Sequence, residues 1–209
     1  MNNKFSLSLV CSALLLAGCG DNTESSGSIY SNAIEQSLAR SSSVSFTLLG
    51  NEADIPLPSF FLFDTNDHTL NIPLDANSTG LLNDPAVAMG ETDGWSTIMP
   101  FTINIKFANG RTLKNDSTMM NNGVKVAKID VDLTTGKISQ LEELKAQEDY
   151  IVQSRDLKTI EVVPLKSLNP NSNYVYVLTD TLVDSQDEPI GTSKSYASLK
   201  STRIDQTGS

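Results

Sequence analysis

Hydrophobic and polar positions change rhythm along this chain. Phe101, Ile103, Ile105 and Phe107 alternate with Thr102, Asn104 and Lys106, the period of two that marks a half-buried antiparallel strand. Asn109-Gly110 then turns the chain. Val124 and Val126 share one parity while Ile129, Val131 and Leu133 share the other. That slip predicts a strand with a bulge or bend near Ala127. A turn through Gly136 comes next, and Leu141, Leu144 and Ala146 among charges predict a short helix within Ser139 to Asp149. Tyr150–Gln153 and Thr159–Val163 read as a hairpin turning at Arg155 to Lys158. Tyr174 to Thr179 reads as a strand, Asp184 to Gly191 as a turn, and Tyr196 to Leu199 as a last short strand.

Before Pro100 the pattern is less regular. Ile29, Ala33, Ile34 and Leu38 fall at helical spacing, and Ser41 to Ser43 end that helix before a strand at Val44 to Leu49. Asp54 to Asp75 is rich in proline, and Pro56, Pro58 and Pro73 exclude helix interiors. Two extended pieces are expected there, Phe60–Phe63 and Leu70–Ile72, joined by a polar turn. A short helix is expected after Asn83, with Pro85 in its first turn. Asp93, Gly94 and Trp95 form a structural turn that orders this N-terminal segment against the strands beyond Pro100.

One local run is more specific. Leu168, Pro170 and Tyr174 lead into a strand in the manner of the tyrosine corner of immunoglobulin-like and fibronectin-III-like domains, whose tyrosine hydroxyl bonds back to upstream backbone. With several short strands and regular turns, the expected fold is mainly β. It is an immunoglobulin/fibronectin-III-like antiparallel β-sandwich with an irregular proline-rich N-terminal segment and one or two short helices.

Composition narrows the function. The 209 residues are 39% hydrophobic, enough for a buried core. Lys and Arg number 15 against 25 Asp and Glu, a net charge of -10, which argues against nucleic acid as a partner. A single histidine, His68, excludes a multi-histidine metal site.

The N-terminus carries its own message. Lys4 precedes a mostly apolar run, Phe5 to Ala17, too short for a membrane span and typical of a secretory signal. Leu16-Ala17-Gly18-Cys19 resembles the bacterial lipobox. That resemblance implies cleavage before Cys19, a diacylglyceryl thioether on its sulfur, and membrane attachment through the lipid. Buried methylenes contribute about 0.8 kcal/mol each. Gly20 rather than Asp at the next position implies an outer-membrane lipoprotein of the cell envelope. Cys11 lies in the signal, so the mature chain has no disulfide. Gly20 to Gly27 reads as a polar tether.

Candidate catalytic chemistry is sparse. Ser96 and Ser193 each stand two residues after a glycine, but neither is succeeded by the second glycine of a Gly-x-Ser-x-Gly elbow. The base for either would be His68. Asp64, Asn66 and His68 begin like a calcium loop but lack the ligand and the glycine that loop needs at its fifth and sixth positions. The acidic run Asp184, Asp187 and Glu188 reads as a solvated turn. Glu142 and Glu143 are sequence neighbours and would point apart on a helix. Trp95 with Phe60, Phe61 and Phe63 reads as packing. No catalytic residue, metal or cofactor is expected.

Larger motifs point to a family. Pro56-Leu-Pro58-Ser-Phe60-Phe61-Leu62-Phe63-Asp64 and then Thr69-Leu70-Asn71-Ile72-Pro73 resemble the opening of the bacterial virulence factor lipase N-terminal family, with His68 where that family has glycine. Asp84-Pro85, Asp93-Gly94-Trp95-Ser96-Thr97, and Val162 through Tyr174 to Asp180 are similar to its later motifs. The resemblance implies a domain that precedes an α/β-hydrolase lipase domain on a surface or secreted lipoprotein. Catalytic residues of that hydrolase have no counterparts here.

The expected organisation is a signal peptide at 1–18, lipid attachment and tether at 19–43, an extended segment at 44–98, a sandwich at 99–200 and a polar tail at 201–209. The expected role is non-catalytic support or presentation of a lipase catalytic domain or subunit. A stand-alone module binding a surface ligand is the alternative, and a small esterase the weaker one.

Overall fold

A computed structural model describes residues 30–47, 54–132, 135 and 137–200. The expected lipid-bearing Cys19, its tether and the polar tail lie outside the described residues. In chain order the elements are α1 (Asn32–Leu38), β1 (Ser43–Val44), a 3-10 turn (Phe60–Leu62), α2 (Pro85–Gly90), β2 (Phe101–Lys106), α3 (Ser117–Gly123), β3 (Val124–Asp132), β4 (Lys137–Glu143), β5 (Tyr150–Gln153), β6 (Thr159–Pro164), β7 (Asn173–Leu178) and α4 (Lys194–Leu199). The protein is mainly β. Its strands form a four-stranded sheet of order β1-β2-β6-β5 and a three-stranded sheet of order β4-β3-β7. Every strand pairing in both is antiparallel.

The core arises from the alternation in the strands. Phe101, Ile103 and Ile105 of β2, Tyr150 and Val152 of β5, and Ile160 and Val162 of β6 bury their side chains in one cluster. Val124 and Val126 of β3 join them, with Leu113 and Leu182 from the connections and Met119 and Met120 from α3. Register keeps large residues opposite one another, with Ile103 facing Ile160 and Phe101 facing Val162. Among the described residues, buried side-chain polar atoms are satisfied. The Tyr150 hydroxyl donates to the carbonyl oxygen of Val124 at 2.9 Å, tying the two sheets together. Asn121 of α3 accepts the Val152 N–H at 2.9 Å. Gly123 has no room for a side chain, since a Cβ there would stand 2.9 Å from the Leu182 Cβ.

Four local expectations are corrected. No bulge lies near Ala127: β3 is continuous against β7, and its register slips against β4 between Asp130 and Val131 instead. The parity change has another cause. Val124 and Val126 face the core, whereas Ile129 and Val131 lie on the opposite face of the sheet, beside Leu141 and Ile138. The segment expected as a helix from Ser139 instead continues as β4, fully exposed along its length. Pairing with β3 outweighs helix propensity there, and it sets Lys128 opposite Glu142. Tyr196 to Leu199 is helical rather than extended, because the Ser193 side chain accepts the Tyr196 N–H at 3.1 Å and starts α4. Phe60 to Leu62 is a 3-10 turn rather than a strand, started the same way by Ser59.

The N-terminal pieces are attached to this frame. Ser31 caps α1, which lies on the surface against α4 with Tyr30 and Ser198 hydroxyls 3.3 Å apart. β1 pairs with the end of β2. Leu57 bridges to Thr102. The turn after Phe63 closes through a bridge from Phe63 to Leu70.

Candidate functional site

The motifs singled out by sequence meet along one seam. Gly94 adopts φ +154°, a conformation that favours glycine. The turn aims the Trp95 ring inward, and its Nε1–H donates to the Ser59 carbonyl at 3.0 Å. Three residues after Gly94, the Thr97 carbonyl accepts the Leu168 N–H at 2.9 Å. The Ser167 and Thr97 hydroxyls lie 2.9 Å apart. Leu168 then packs against the core, and the Tyr174 hydroxyl accepts the Asn169 N–H at 2.9 Å. Three separate hydrogen bonds, at Trp95, Thr97 and Tyr174, thus tie Ser59, the 94–97 turn and the chain entering β7 together. Asp93 is exposed, and among the described residues no hydrogen bond holds its carboxylate.

Polar side chains in residues 54–98 shape the backbone. Asp64 accepts the Asn66 N–H at 2.7 Å, so the carboxylate that resembled a calcium ligand folds its own turn. Asp67 accepts the Thr69 N–H and hydroxyl at 3.0 and 2.8 Å, which lowers its pKa. Asp84 caps α2 through the Ala86 N–H and accepts the Ser78 hydroxyl at 2.6 Å, and these bonds hold its carboxyl below the usual range. His68 sits at φ +64°, where L-residues are strained. That geometry gives a physical reason for glycine at the same point of the resembled motif.

The esterase arrangement is not assembled. Ser193 uses its hydroxyl to cap α4. Ser96 accepts a long bond from the Ile98 N–H, at 3.4 Å. Exposed His68 lies against the Phe63 ring, centroids 6.4 Å apart, and no hydrogen bond joins it to either serine. Among the described residues no group of three potential metal ligands comes together. No helix among them is long and apolar enough to cross a membrane.

One cluster corrects an expectation from the sequence. The acidic turn is not simply solvated, because Asp184 is fully buried. It accepts Arg111 at 2.7 Å, the Ser42 hydroxyl at 3.0 Å and the backbone N–H of Gln186 at 2.9 Å. Burial alone would push this carboxyl up; the guanidinium and the backbone donors outweigh it, and the net shift is downward. Arg111 also pairs with Glu188, which in turn accepts the Ser41 N–H. Lys114 pairs with Asp187. The cluster fastens β1 to the loops around residues 111 and 184. Arg111 lies far away in sequence, so spacing alone gave no signal for it.

Apolar exposure is concentrated elsewhere. Phe60, Phe61, Leu74, Leu81, Leu82, Met89 and Ile98 are all exposed, and all belong to the segment before β2. Phe61 lies 5.9 Å from Phe46, whose other side meets the exposed Tyr196 of α4 at 5.8 Å, centroid to centroid. The buried Phe46 ring therefore links this segment to the C-terminal helix.

Comparison with known proteins agrees with the motif reading. The family model described as bacterial virulence factor lipase N-terminal matches residues 27–207. No curated protein matches the chain. No solved structure matches it either. The match spans the seam, the buried cluster and both sheets, and the chain belongs to the bacterial virulence factor lipase N-terminal family.

Proposed function

We propose that this chain is the non-catalytic N-terminal module of a surface lipase-type lipoprotein, and that it supports and presents a lipase catalytic partner. The observation that carries the reading is the row of exposed apolar side chains from Phe60 to Ile98 within a family-matched lipase N-terminal region. Apolar patches on folded proteins mark interaction sites, and this one segment carries seven of the thirteen exposed large hydrophobics among the described residues. The serines that would be nucleophiles are engaged in local backbone geometry, which supports a role outside the chemistry. Attachment through a lipid on Cys19, in the outer membrane, completes the proposal and rests on the lipobox. The sheet orders β1-β2-β6-β5 and β4-β3-β7 and the Tyr174 to Asn169 bond support an immunoglobulin-type arrangement with a tyrosine corner.

The test is co-precipitation of activity. Antibody to the chain should bring down hydrolysis of a long-chain p-nitrophenyl ester from detergent extracts of native cells. Phe61→Ser together with Leu82→Ser should reduce it several-fold, while His68→Ala leaves it unchanged. Activity that the purified chain shows alone and loses in His68→Ala would instead make this chain the enzyme. Extracts without captured hydrolysis would favour the stand-alone binding module.

A further inference from the structure

The two sheets have four edge strands, and they are treated differently. β1 is covered on its outer side, where Val44 N–H donates to the Gly191 carbonyl at 2.9 Å and Gly191 N–H to that of Ser42 at 2.7 Å. β5 is closed by Asn121, which bonds both the N–H and the carbonyl of Val152. β4 carries Lys137, Glu142 and Glu143; charges of this kind discourage strand addition. Among the described residues, β7 has none of these protections. Its sequence, Asn173-Tyr-Val-Tyr-Val-Leu178, holds no charge and no proline. Beyond β3, no described residue supplies its backbone with a partner. Unpaired backbone groups on such a strand are a template for another strand.

We infer that β7 pairs edge to edge with β7 of a second copy of this chain. The strand is complementary to itself. A two-fold axis beside Val175 sets Val175 against its own copy, Tyr174 against the copy's Tyr176, and Asn173 against the copy's Val177. These are uncharged pairs of β-branched and aromatic residues, the kind that stabilise cross-strand contacts. Val175 lies opposite Ala127 and Val177 opposite Lys125, so the outer face gains no like-charge contact at the axis. That face bears Ile129, Val131, Ile138 and Leu141, with Val177 43% exposed. The pairing would join two such apolar faces into one six-stranded surface. The net charge of -10 per chain opposes approach at long range, and salt screens that repulsion over about 8 Å at physiological strength. Association therefore strengthens as salt rises. The inference stands apart from the lipase-module reading, because it needs no catalytic partner.

Cysteine crosslinking in cells expressing the full chain tests the pairing, together with sedimentation in density-matched detergent. Val175→Cys with a short bismaleimide should give a band of twice the chain mass. Leu141→Cys, on the same face but two strands from the axis, should give none. In sedimentation the wild type should be dimeric, and Val175→Lys should raise the dimer dissociation constant at least about tenfold, since it sets two charges face to face. Val177→Lys is a second variant, at a more exposed position, should Val175→Lys fail to fold. Circular dichroism must show the fold intact in whichever is used. A monomeric wild type at all salt concentrations overturns the inference. So does crosslinking of Val175→Cys only to a different protein, which would give the edge to a partner's strand.

Discussion

The strands from Phe101 onward and the segment from Asp54 to Ile98 divide the apolar residues unequally. Of the buried hydrophobic residues among those described, sixteen lie at or beyond Phe101 and Leu70 alone lies within the segment. Seven of the thirteen exposed large hydrophobics lie between Phe60 and Ile98. The two regions also use polar groups differently. In the two-sheet region they close the interior, as Tyr150, Asn121 and Asp184 do. In the segment they fold turns, as Asp64, Asp67 and Asp84 do. Stability resides in the first region, and the second holds a shape while leaving its hydrophobic surface available.

The largest effect that would sharpen this contrast lies at the buried ion pair. Asp184→Ala leaves Arg111 without its buried partner and should cost about 3–5 kcal/mol in urea unfolding. A loss below about 1 kcal/mol would mean that the cluster is peripheral. The pair also sets a pH dependence. The folded-state pKa of Asp184 lies below its unfolded value, so its contribution is complete above the unfolded carboxylate range near ~4 and disappears as pH falls through the folded value. The melting temperature of the wild type should fall below about pH 4 more steeply than that of Asp184→Asn.

Next comes a matched pair of truncations. Ile160→Ala, fully buried, should cost about 2–5 kcal/mol. Leu82→Ala, 69% exposed, should stay within about 0.5 kcal/mol of wild type. Equal losses would erase the contrast between the regions. Within the seam, Trp95→Phe keeps the ring but removes the donor to Ser59, and should cost about 1 kcal/mol. Asp93→Ala should change thermal stability by less than half of that, since its carboxylate is not held. The smallest effect has the opposite sign. His68→Gly relieves a left-handed residue, a strain of about 1–2 kcal/mol. Greater chain freedom when unfolded takes back part of this, leaving a gain of about 0.5 kcal/mol. A lowered melting temperature would show that the His68 contact with Phe63 outweighs the strain.

How far the sequence revealed this molecule depended on whether local pattern and tertiary pairing agreed. They agreed in β2, where alternation is strict, and in the hairpin of β5 and β6. They disagreed over Ser139 to Asp149, whose spacing of Leu141, Leu144 and Ala146 reads as helical although pairing with β3 makes the residues up to Glu143 part of β4. The parity change in β3 was visible, but its meaning was not: one strand can carry apolar residues on both faces. The turn at Asp93 to Trp95 and the run from Leu168 to Tyr174 were legible as motifs. Their meeting through Thr97 and Leu168 was not, because a hydrogen bond between distant backbones leaves no trace in residue type. Burial of Asp184 was hidden for the same reason, since its partner Arg111 is distant in sequence.

Amide hydrogen exchange, measured on the chain alone and again with the proposed lipase partner added, tests the central claim most directly. Local openings expose weakly held amides, while core strands exchange only through global unfolding. The account predicts slow exchange in β2, β3, β5 and β6 in both states, and faster exchange across 60–98 that slows on binding. Uniform protection in the free chain, or slowing on binding that leaves 60–98 untouched, would contradict it.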